Sequence, residues 1–363
     1  MLPFVILLGV VVIVHELGHL IIARANGVFC EVFSVGYGPR ICEWTDRRGT
    51  KWRLSLLPLG GYVRMFGDAD MSSIKEVVPI GYTDRDMDMM SAHRKKPWQR
   101  LLISIGGPAA NFVFSIVVLF AVALINGVPR YSTAITVVGE SVAYSAGLRS
   151  GDQVVTANTE KINDFRELRE QIVKSHGDVL KIGIKRGEAI HNISIDMFEK
   201  KENKVTPISI LGVSPKEIVY EKVGLWKAFK ESISTTYTIA VGNISAIFKI
   251  ITGSMSAKNI GGIISIFKVS SDSASAGFLS FIFIIAMIST TLGAINLLPV
   301  PVLDGGAVVI AMIEQVIGQP LNKRFVDVIF SIGLVAVVGL MVIGMWNDLM
   351  NCKAFDLLKS YFR

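Results

Sequence analysis

The chain has 363 residues, of which 51% are hydrophobic and 18% are charged. A composition this apolar excludes an entirely soluble protein, although the length alone would allow about two soluble domains of roughly 150 residues. Lys and Arg outnumber Asp and Glu, giving a net charge of +7, and this excess is scattered through loops between apolar runs. The distribution favours control of membrane topology or contact with anionic lipid, and nucleic acid is not an expected partner.

The three cysteines give little evidence about function. Cys30, Cys42 and Cys352 are widely spaced and odd in number, which is a weak basis for a disulfide framework or a metal site. We predict that they are small hydrophobic residues.

Four stretches are long and apolar enough to cross a hydrocarbon core, for which about 20 helical residues suffice. The first lacks a basic leader and a small-residue cleavage site, so we expect it to remain in the mature protein. The predicted spans are residues 2–23, 101–125, 278–298 and 325–346.

The positive charges of the loops predict how the chain is oriented in the membrane. Residues 24–100 hold 13 Lys and Arg, including the run Arg94, Lys95 and Lys96 just before the second span. The positive-inside rule places this loop in the cytoplasm, so both termini and the long segment after the second span are expected outside. The basic residues of the C-terminal tail argue mildly against this orientation.

The first span contains a His-Glu-x-x-His motif formed by His15, Glu16 and His19. On a helix, a spacing of four residues places both imidazoles on one face, where they can bind one zinc ion, and Glu16 can take a proton from bound water. Ionisable groups inside a span are costly unless they pair, bind metal or face water. The alternative is a pair of neutral histidines packed inside a helix bundle.

A catalytic zinc site generally needs a third protein ligand. His93, His176 and His191 are poor candidates, because one lies in the charged loop and two lie in the external insert. Asp304 is a better candidate, since it follows two helix-breaking prolines at the end of the third span. Non-helical backbone at this depth is tolerated only where it lines a cavity or is buried in protein. A Pro-Gly turn carrying a solvated Asp304 is the alternative.

Residues 127–204 have the composition of an ordinary soluble domain. Short alternating runs predict strands at 134–138, 179–184 and 190–195, and residues 163–174 predict an amphipathic helix. The turn from Ser145 to Asp152, which leads into a strand, resembles that of bacterial PDZ domains, so we predict one inserted PDZ domain, with another small β-rich domain as the alternative. Such a domain could bind a substrate end or act as a steric gate.

Residues 205–277 are predicted to form an amphipathic membrane-associated segment, because apolar residues recur at near-helical spacing among Ser, Thr and Lys. A single helix that faces a protein core is the alternative. In the cytoplasmic loop, two runs with alternating apolar residues predict a β-hairpin at about 32–66, with one face apolar enough to contact lipid. An ordinary soluble hairpin remains the alternative.

Together these motifs resemble the site-2 protease family of intramembrane zinc metalloproteases, most closely its bacterial regulator-of-sigma-E branch. The His15 to His19 motif is similar to the zinc motif of the family's first span, and Leu303-Asp304-Gly305 to its distal ligand motif. The resemblance implies Zn²⁺ held by His15, His19 and Asp304, with Glu16 as the catalytic base. It also implies substrate binding by Asn296 and by Asn111, the polar member of Gly106-Gly-Pro-Ala-Ala-Asn111.

The resemblance completes the expected architecture. The fold class is an α-helical multi-pass membrane protein with about four spans, a membrane-re-entrant β-hairpin and one inserted PDZ domain of α+β type. The catalytic membrane part comprises residues 1–126 and 278–363, around the insert and the amphipathic segment. Relatives in this branch often carry two PDZ domains, whereas the length here admits one.

The implied activity is regulated proteolysis of single-pass membrane proteins, such as anti-sigma factors or signal-peptide remnants. A separate protease would first trim their ectodomains. Zinc-bound water would then attack the scissile peptide, with Glu16 as general base. The expected location is the bacterial inner membrane, with the PDZ domain on the periplasmic side and the active site towards the cytoplasm.

Two other functions compete with this one. A membrane zinc protease acting on soluble or loop substrates generally takes its third ligand from a downstream glutamate, and Glu314 is the only late one. A membrane scaffold that presents a PDZ module would make Glu16 dispensable.

Overall fold

The computed structural model describes residues 1–67, 89–175, 179–196, 211–254, 256 and 261–351. These residues form two compact units, one comprising Met1–Val122 and Phe229–Arg363, the other comprising Ala123–Ala228. Cys352 and His176, together with the end of the predicted PDZ domain at 197–204, lie outside the described residues.

Helices dominate the described part of the chain, and four of them are long and apolar enough to cross a membrane. The prediction of four spans is therefore confirmed for the described residues, with each helix ending within a few residues of its expected bounds. The helices are α1 (Leu2–Ala25), α2 (Pro97–Asn126), α3 (Val142–Ser145), α4 (Phe165–Lys174), α5 (Leu225–Ile251), α6 (Ile263–Ser275), α7 (Phe278–Asn296), α8 (Asp304–Ile317) and α9 (Lys323–Asn351).

The candidate spans are α1, α2, α7 and residues Arg324–Met350 of α9. Glycines allow α1 and α2 to approach closely, since a Cβ on Gly18 would lie 2.2 Å from the carbonyl oxygen of Gly106. On another side, Leu7 and Val11 of α1 pack against Ile285 of α7. The helix carrying the His-Glu-x-x-His motif is thus surrounded by two other spans, which gives its polar side chains protein rather than lipid as neighbours.

The strands of the chain are β1 (Cys30–Thr45), β2 (Lys51–Met65), β3 (Val128–Tyr131), β4 (Ile135–Val137), β5 (Gln153–Ala157), β6 (Glu160–Lys161), β7 (Val179–Arg186), β8 (Ala189–Asp196), β9 (Val213–Pro215) and β10 (Ile218–Glu221). The first two belong to the membrane unit, and the others belong to the insert.

β1 and β2 form the hairpin that the sequence predicts, but their register is more complex than that of a simple hairpin. Phe33 pairs with Val63 and also with Trp52, so the first half of β1 lies between two segments of β2. The chain can fold back in β1 because Gly36 and Gly38 adopt positive φ. Among the described residues, segment 61–65 pairs only with the first half of β1 and therefore forms an edge of this sheet.

The turn between β1 and β2 is fixed to the end of α1. Arg24 of α1 and the indole Nε1 of Trp52 both donate to the Asp46 carboxylate, at 2.5 and 3.0 Å. Burial opposes ionisation of Asp46, but these hydrogen bonds and those from the turn backbone outweigh it and hold its pKa at about 2. The sheet is thereby held beside the first span.

The insert contains a four-stranded sheet of order β6-β5-β7-β8 and two separate strand pairs, β3 with β10 and β4 with β9. Alternate residues of β7, including Leu180, Ile182 and Ile184, pack with Leu168 and Ile172 of α4 in one apolar core. Asp164 caps α4 by accepting a hydrogen bond from the backbone N–H of Arg166 at 2.8 Å.

The compact unit that contains the insert also includes later residues of the chain. The late strands β9 and β10 pair with β4 and β3, so residues beyond 204 share the sheet structure of the insert, and the unit continues to Ala228. Strands of three and four residues carry too short a pattern for their pairing to be predicted locally.

Candidate metal centre

His15 and His19 lie on one face of α1, one helical turn apart, and both are buried. Their Nε2 atoms are 3.2 Å from each other. This closeness follows from the i, i+4 spacing, which stacks two side chains on the same stripe of a helix. Two imidazole nitrogens therefore converge on one point inside the membrane unit.

Asp304 reaches the same point from α8. Pro299 and Pro301 lie in the non-helical segment after α7, and Asp304 is the first residue of the next helix. Its Oδ2 lies 3.1 Å from Nε2 of His15, and its Oδ1 lies 3.3 Å from Nε2 of His19. Asp304 is thus joined in one cluster with residues 289 and 285 positions earlier in the chain.

The backbone at the start of α8 is closely folded. A Cβ on Gly305 would lie 2.3 Å from the carbonyl oxygen of Leu298, and a Cβ on Gly306 would lie 2.4 Å from that of Val300. No side chain fits at either position without movement of the backbone. The two glycines after Asp304 therefore allow the turn that carries the carboxylate to the histidines.

The separations within the cluster fit a small tetrahedral metal ion. Zinc bonds to nitrogen and oxygen of about 2.0 Å place tetrahedral ligands about 3.3 Å apart, and the observed contacts are 3.1 to 3.3 Å. The Oδ2 atom of Asp304 is buried and accepts no hydrogen bond, an arrangement that a metal would relieve. Among the described residues, these three form the group with metal-binding geometry.

The other ring nitrogen of His19 has its own partner. Nδ1 of His19 lies 2.8 Å from the backbone carbonyl of Ile103 on α2. A carbonyl can only accept, so Nδ1 carries the proton and Nε2 is left with its lone pair directed at the cluster. This contact between α1 and α2 selects the tautomer that a metal ligand requires.

A glycine of α2 makes room for the imidazoles. A Cβ on Gly107 would lie 2.3 Å from Nε2 of His19 and 2.7 Å from Cε1 of His15. The absent side chain at Gly107 is therefore part of the site, because any larger residue would occupy the space of the ring atoms that face the metal position.

Glu16 lies beside the cluster, on the next residue of α1. It is half-buried and close enough to His15, His19 and Asp304 to interact with their charges. The backbone of Val63 in β2 is close enough to interact with its carboxylate, and a Cβ on Gly61 would lie 3.5 Å from its Cγ. The edge of the β1–β2 sheet thus passes next to the predicted base.

The two predicted substrate residues occupy different positions. Asn296, at the end of α7, is half-buried, and its Nδ2 is 3.3 Å from Nε2 of His15. Asn111 of α2 is fully buried, and its Nδ2 is 3.1 Å from Nδ1 of the same histidine. Asn296 reaches the ligand side of the imidazole, whereas Asn111 contacts its rear side.

The competing third ligand lies elsewhere. Glu314 of α8 is buried, forms an ion pair with Arg100 and accepts a hydrogen bond from the backbone N–H of Leu321. It is not a member of the His15 cluster. Its charge is compensated by α2, which removes the main reason for assigning it to a metal.

The sequence did not identify the Ile103 carbonyl, the space at Gly107 or the Val63 backbone as parts of the site. The paired glycines before Pro108 were a signal for close helix packing, although the spacing does not reveal their partner. A backbone group has no side-chain signature, so the roles of Ile103 and Val63 require the packed structure.

Comparison with known proteins identifies the family of the chain. Residues 3–340 match peptidase family M50. A protein of Agrobacterium fabrum named "Putative zinc metalloprotease Atu1380" is 32% identical over 96% of this chain and 94% of its own length. "Metalloprotease MmpA" of Caulobacter vibrioides is 30% identical over 98% of this chain and 96% of its own length. The chain is a membrane protein that belongs to peptidase family M50, the site-2 protease family.

Proposed function

We propose that this protein is an intramembrane zinc metalloprotease that cleaves the spanning segments of single-pass membrane proteins. The observation that carries the proposal is that Asp304 of α8 meets His15 and His19, with Glu16 beside them, on a helix, α1, that is long enough to cross a membrane. Ionisable groups at such depth require a compensating role, and a hydrolytic metal site supplies one.

In this role His15, His19 and Asp304 hold the ion. Zinc, when bound, lowers the pKa of a coordinated water to about 7 and polarises a carbonyl. Glu16 takes the proton from the attacking water and delivers it to the leaving amine. Asn296 is half-buried beside the ligand face of His15, a position from which its amide can hold the scissile carbonyl and donate to the developing oxyanion.

The substrate must be extended before it can react, because a helix engages its carbonyls in its own hydrogen bonds. The edge segment 61–65 offers backbone groups for this purpose by β-strand addition. Since the N–H of Val63 faces Glu16, an added strand would run directly past the catalytic base. Spanning segments rich in Gly, Pro or Asn, which unwind easily, are the expected substrates.

The hydroxyl of Tyr37 donates to the carbonyl of Gly61 at 3.0 Å. Gly61 and Val63 are two residues apart on one strand, so their backbone groups face the same edge. Tyr37 therefore caps one backbone group that an added strand would use, and Glu16 lies beside the next one along the same edge. Substrate binding replaces these contacts with main-chain hydrogen bonds to the substrate.

Contact with lipid accounts for the exposed apolar surfaces of the membrane unit. Helix α5 buries Ser232 and Thr236 and exposes Ile233, Tyr237 and Phe248, which is the reverse of a soluble helix. On the β1–β2 sheet, exposed apolar side chains include Ile41, Trp44, Leu54, Leu56 and Leu57. Both surfaces support the amphipathic membrane-associated segment and the re-entrant placement of the hairpin.

The insert is proposed to be a PDZ domain that excludes substrates with large ectodomains. The support is its composition, a four-stranded sheet, the amphipathic helix α4, and the turn at Asp152, whose carboxylate accepts from Arg186 at 2.7 Å. The charge of residues 24–100 supports a cytoplasmic position for the catalytic side and an external, periplasmic position for the insert. Anti-sigma factors and signal-peptide remnants, trimmed by a separate protease, are the proposed substrates.

The gating role is tested by comparing one substrate with and without a folded ectodomain, both reconstituted in liposomes with the full chain. The trimmed form should be cleaved faster. Equal rates would refute the exclusion of untrimmed proteins, while leaving the assignment of the metal centre unaffected.

The metal centre is tested by measuring bound zinc and cleavage of a model single-pass substrate in liposomes. Glu16→Gln should keep zinc and lose cleavage, because the side chain keeps its shape but no longer accepts a proton. Asp304→Ala should lose both zinc and cleavage. Normal cleavage by Glu16→Gln would refute the mechanism and would favour a scaffold in which the motif only packs.

A further inference from the structure

Asn111 has an unusual environment for a residue expected to bind substrate. Its side chain is 0% exposed, so a substrate has no access to it. Its Nδ2 lies 3.1 Å from Nδ1 of His15, and its Oδ1 is buried without a hydrogen-bond partner. A buried amide oxygen without a partner is rare and needs an explanation.

The tautomer of His15 provides that explanation. Nε2 of His15 faces His19 and Asp304, so a ligand at this position needs its lone pair on Nε2 and its proton on Nδ1. Nδ1–H must then find an acceptor, which the amide nitrogen of Asn111 cannot be. Rotating the carboxamide by 180° exchanges its nitrogen and oxygen and brings Oδ1 to Nδ1.

The packing around Asn111 holds the residue in place while permitting that exchange. Its backbone carbonyl accepts hydrogen bonds from Ser115 at 2.8 Å and from Ser289 of α7 at 3.2 Å. A Cβ on Gly293 of α7 would lie 3.3 Å from the Cβ of Asn111, so two spans enclose the residue. The carboxamide ends have nearly equal size, so their assignment follows from hydrogen bonding rather than from shape.

We propose that Asn111 is a positioning residue whose Oδ1 accepts a hydrogen bond from Nδ1 of His15 and thereby directs Nε2 at the metal. The inference rests on the proposed zinc site and deepens it. It gives His15 the same support that the Ile103 carbonyl gives His19, so each histidine ligand has an acceptor on α2. Such partners typically change metal affinity by 10- to 100-fold when they are removed.

The test measures zinc affinity of the purified full chain in detergent by competition with a chromophoric chelator. Asn111→Leu keeps the approximate volume but removes the acceptor, and should weaken zinc binding by about 10- to 100-fold. Asn111→Asp keeps an acceptor and the shape, and should bind zinc within about threefold of wild type. The matched control is Asn243→Leu, which removes an asparagine that donates to Thr291 at 3.0 Å in the same unit, and should leave zinc affinity unchanged.

The outcomes separate the inference from the proposed function. If wild type holds no zinc, the proposed function fails. If wild type binds zinc and Asn111→Leu binds it equally well, the positioning role is overturned. If Asn111→Leu does not fold, Asn111→Asp decides, because a tenfold loss of affinity there would show that His15 needs a donor from residue 111 and would overturn the inference.

Discussion

The strongest quantitative prediction concerns Gly107, whose missing side chain leaves room for the two imidazoles. In Gly107→Ala the new Cβ would lie 2.3 Å from Nε2 of His19, and 2.7 and 2.8 Å from Cε1 and Nε2 of His15. Restoring an ordinary contact of 3.4 Å requires a displacement of about 1 Å, whereas metal sites tolerate about 0.2 Å in ligand distance. We expect zinc affinity to fall by about 100-fold or more.

The matched control is Gly9→Ala on α1, where a Cβ meets nothing within 4 Å. Alanine is favoured over glycine in a helix by about 1 kcal/mol, so the control should be neutral or slightly stabilised. Gly107→Ala should instead lose about 1–3 kcal/mol through overpacking. Chelator competition and thermal unfolding in detergent measure both effects. Zinc binding by Gly107→Ala as tight as that of Gly9→Ala would refute the assigned position of the imidazoles.

Three further predictions test separate parts of the molecule. Tyr37→Phe frees the carbonyl of Gly61 from a hydrogen bond worth about 1 kcal/mol. The KM for a model substrate should therefore fall by about fivefold, and a rise in KM would contradict the capping role of Tyr37. Glu314→Gln should keep full zinc occupancy while losing about 1–3 kcal/mol of stability; loss of zinc would restore this residue as a ligand. In the insert, burial raises the pKa of Asp152, but hydrogen bonds from Arg186 outweigh it and hold the pKa below its usual range. That stabilisation is therefore present above about pH 4 and lost as the pH falls through the folded pKa. The difference in unfolding temperature between wild type and Asp152→Asn should therefore shrink below about pH 4. A difference that stays constant would contradict this prediction.

The four candidate spans and the shared helix face of His15 and His19 could be predicted because their signals are local. A continuous apolar run identifies a span by composition, and the spacing of His15 and His19 identifies a shared helix face. Asp304 could be proposed from the sequence because it is an acidic residue that follows two prolines. Its selection as third ligand over Glu314 depended on family resemblance. The structure supplies the physical reason, since Glu314 is compensated by Arg100.

Other features depend on contacts between distant parts of the chain. The Ile103 carbonyl lies 84 residues from His19, and a carbonyl has no sequence signature. The carboxylate of Asp348 in α9 accepts from the backbone N–H of Ser265 at 3.0 Å near the start of α6, and no pattern relates these residues. The double pairing of Phe33 in the β1–β2 sheet is likewise set by tertiary packing rather than by alternation of residue types.

The insert shows the same division between local and long-range signals. Its helix α4 was predictable from Asp164 and the amphipathic run that follows. The pairing of β9 and β10 was not, because these strands are short and their partners precede them by 76 to 93 residues. Boundary predictions are weakest where strands of a few residues pair over long separations.

The most direct test of the central claim is the position of the cut. A model single-pass protein, with a spanning segment rich in Gly and Pro, is reconstituted in liposomes with the full chain, and its products are mapped by mass spectrometry. We expect a cut inside the spanning segment by the wild-type enzyme and none by Glu16→Gln. Cleavage only in an exposed loop, or the same cut by Glu16→Gln, would contradict it.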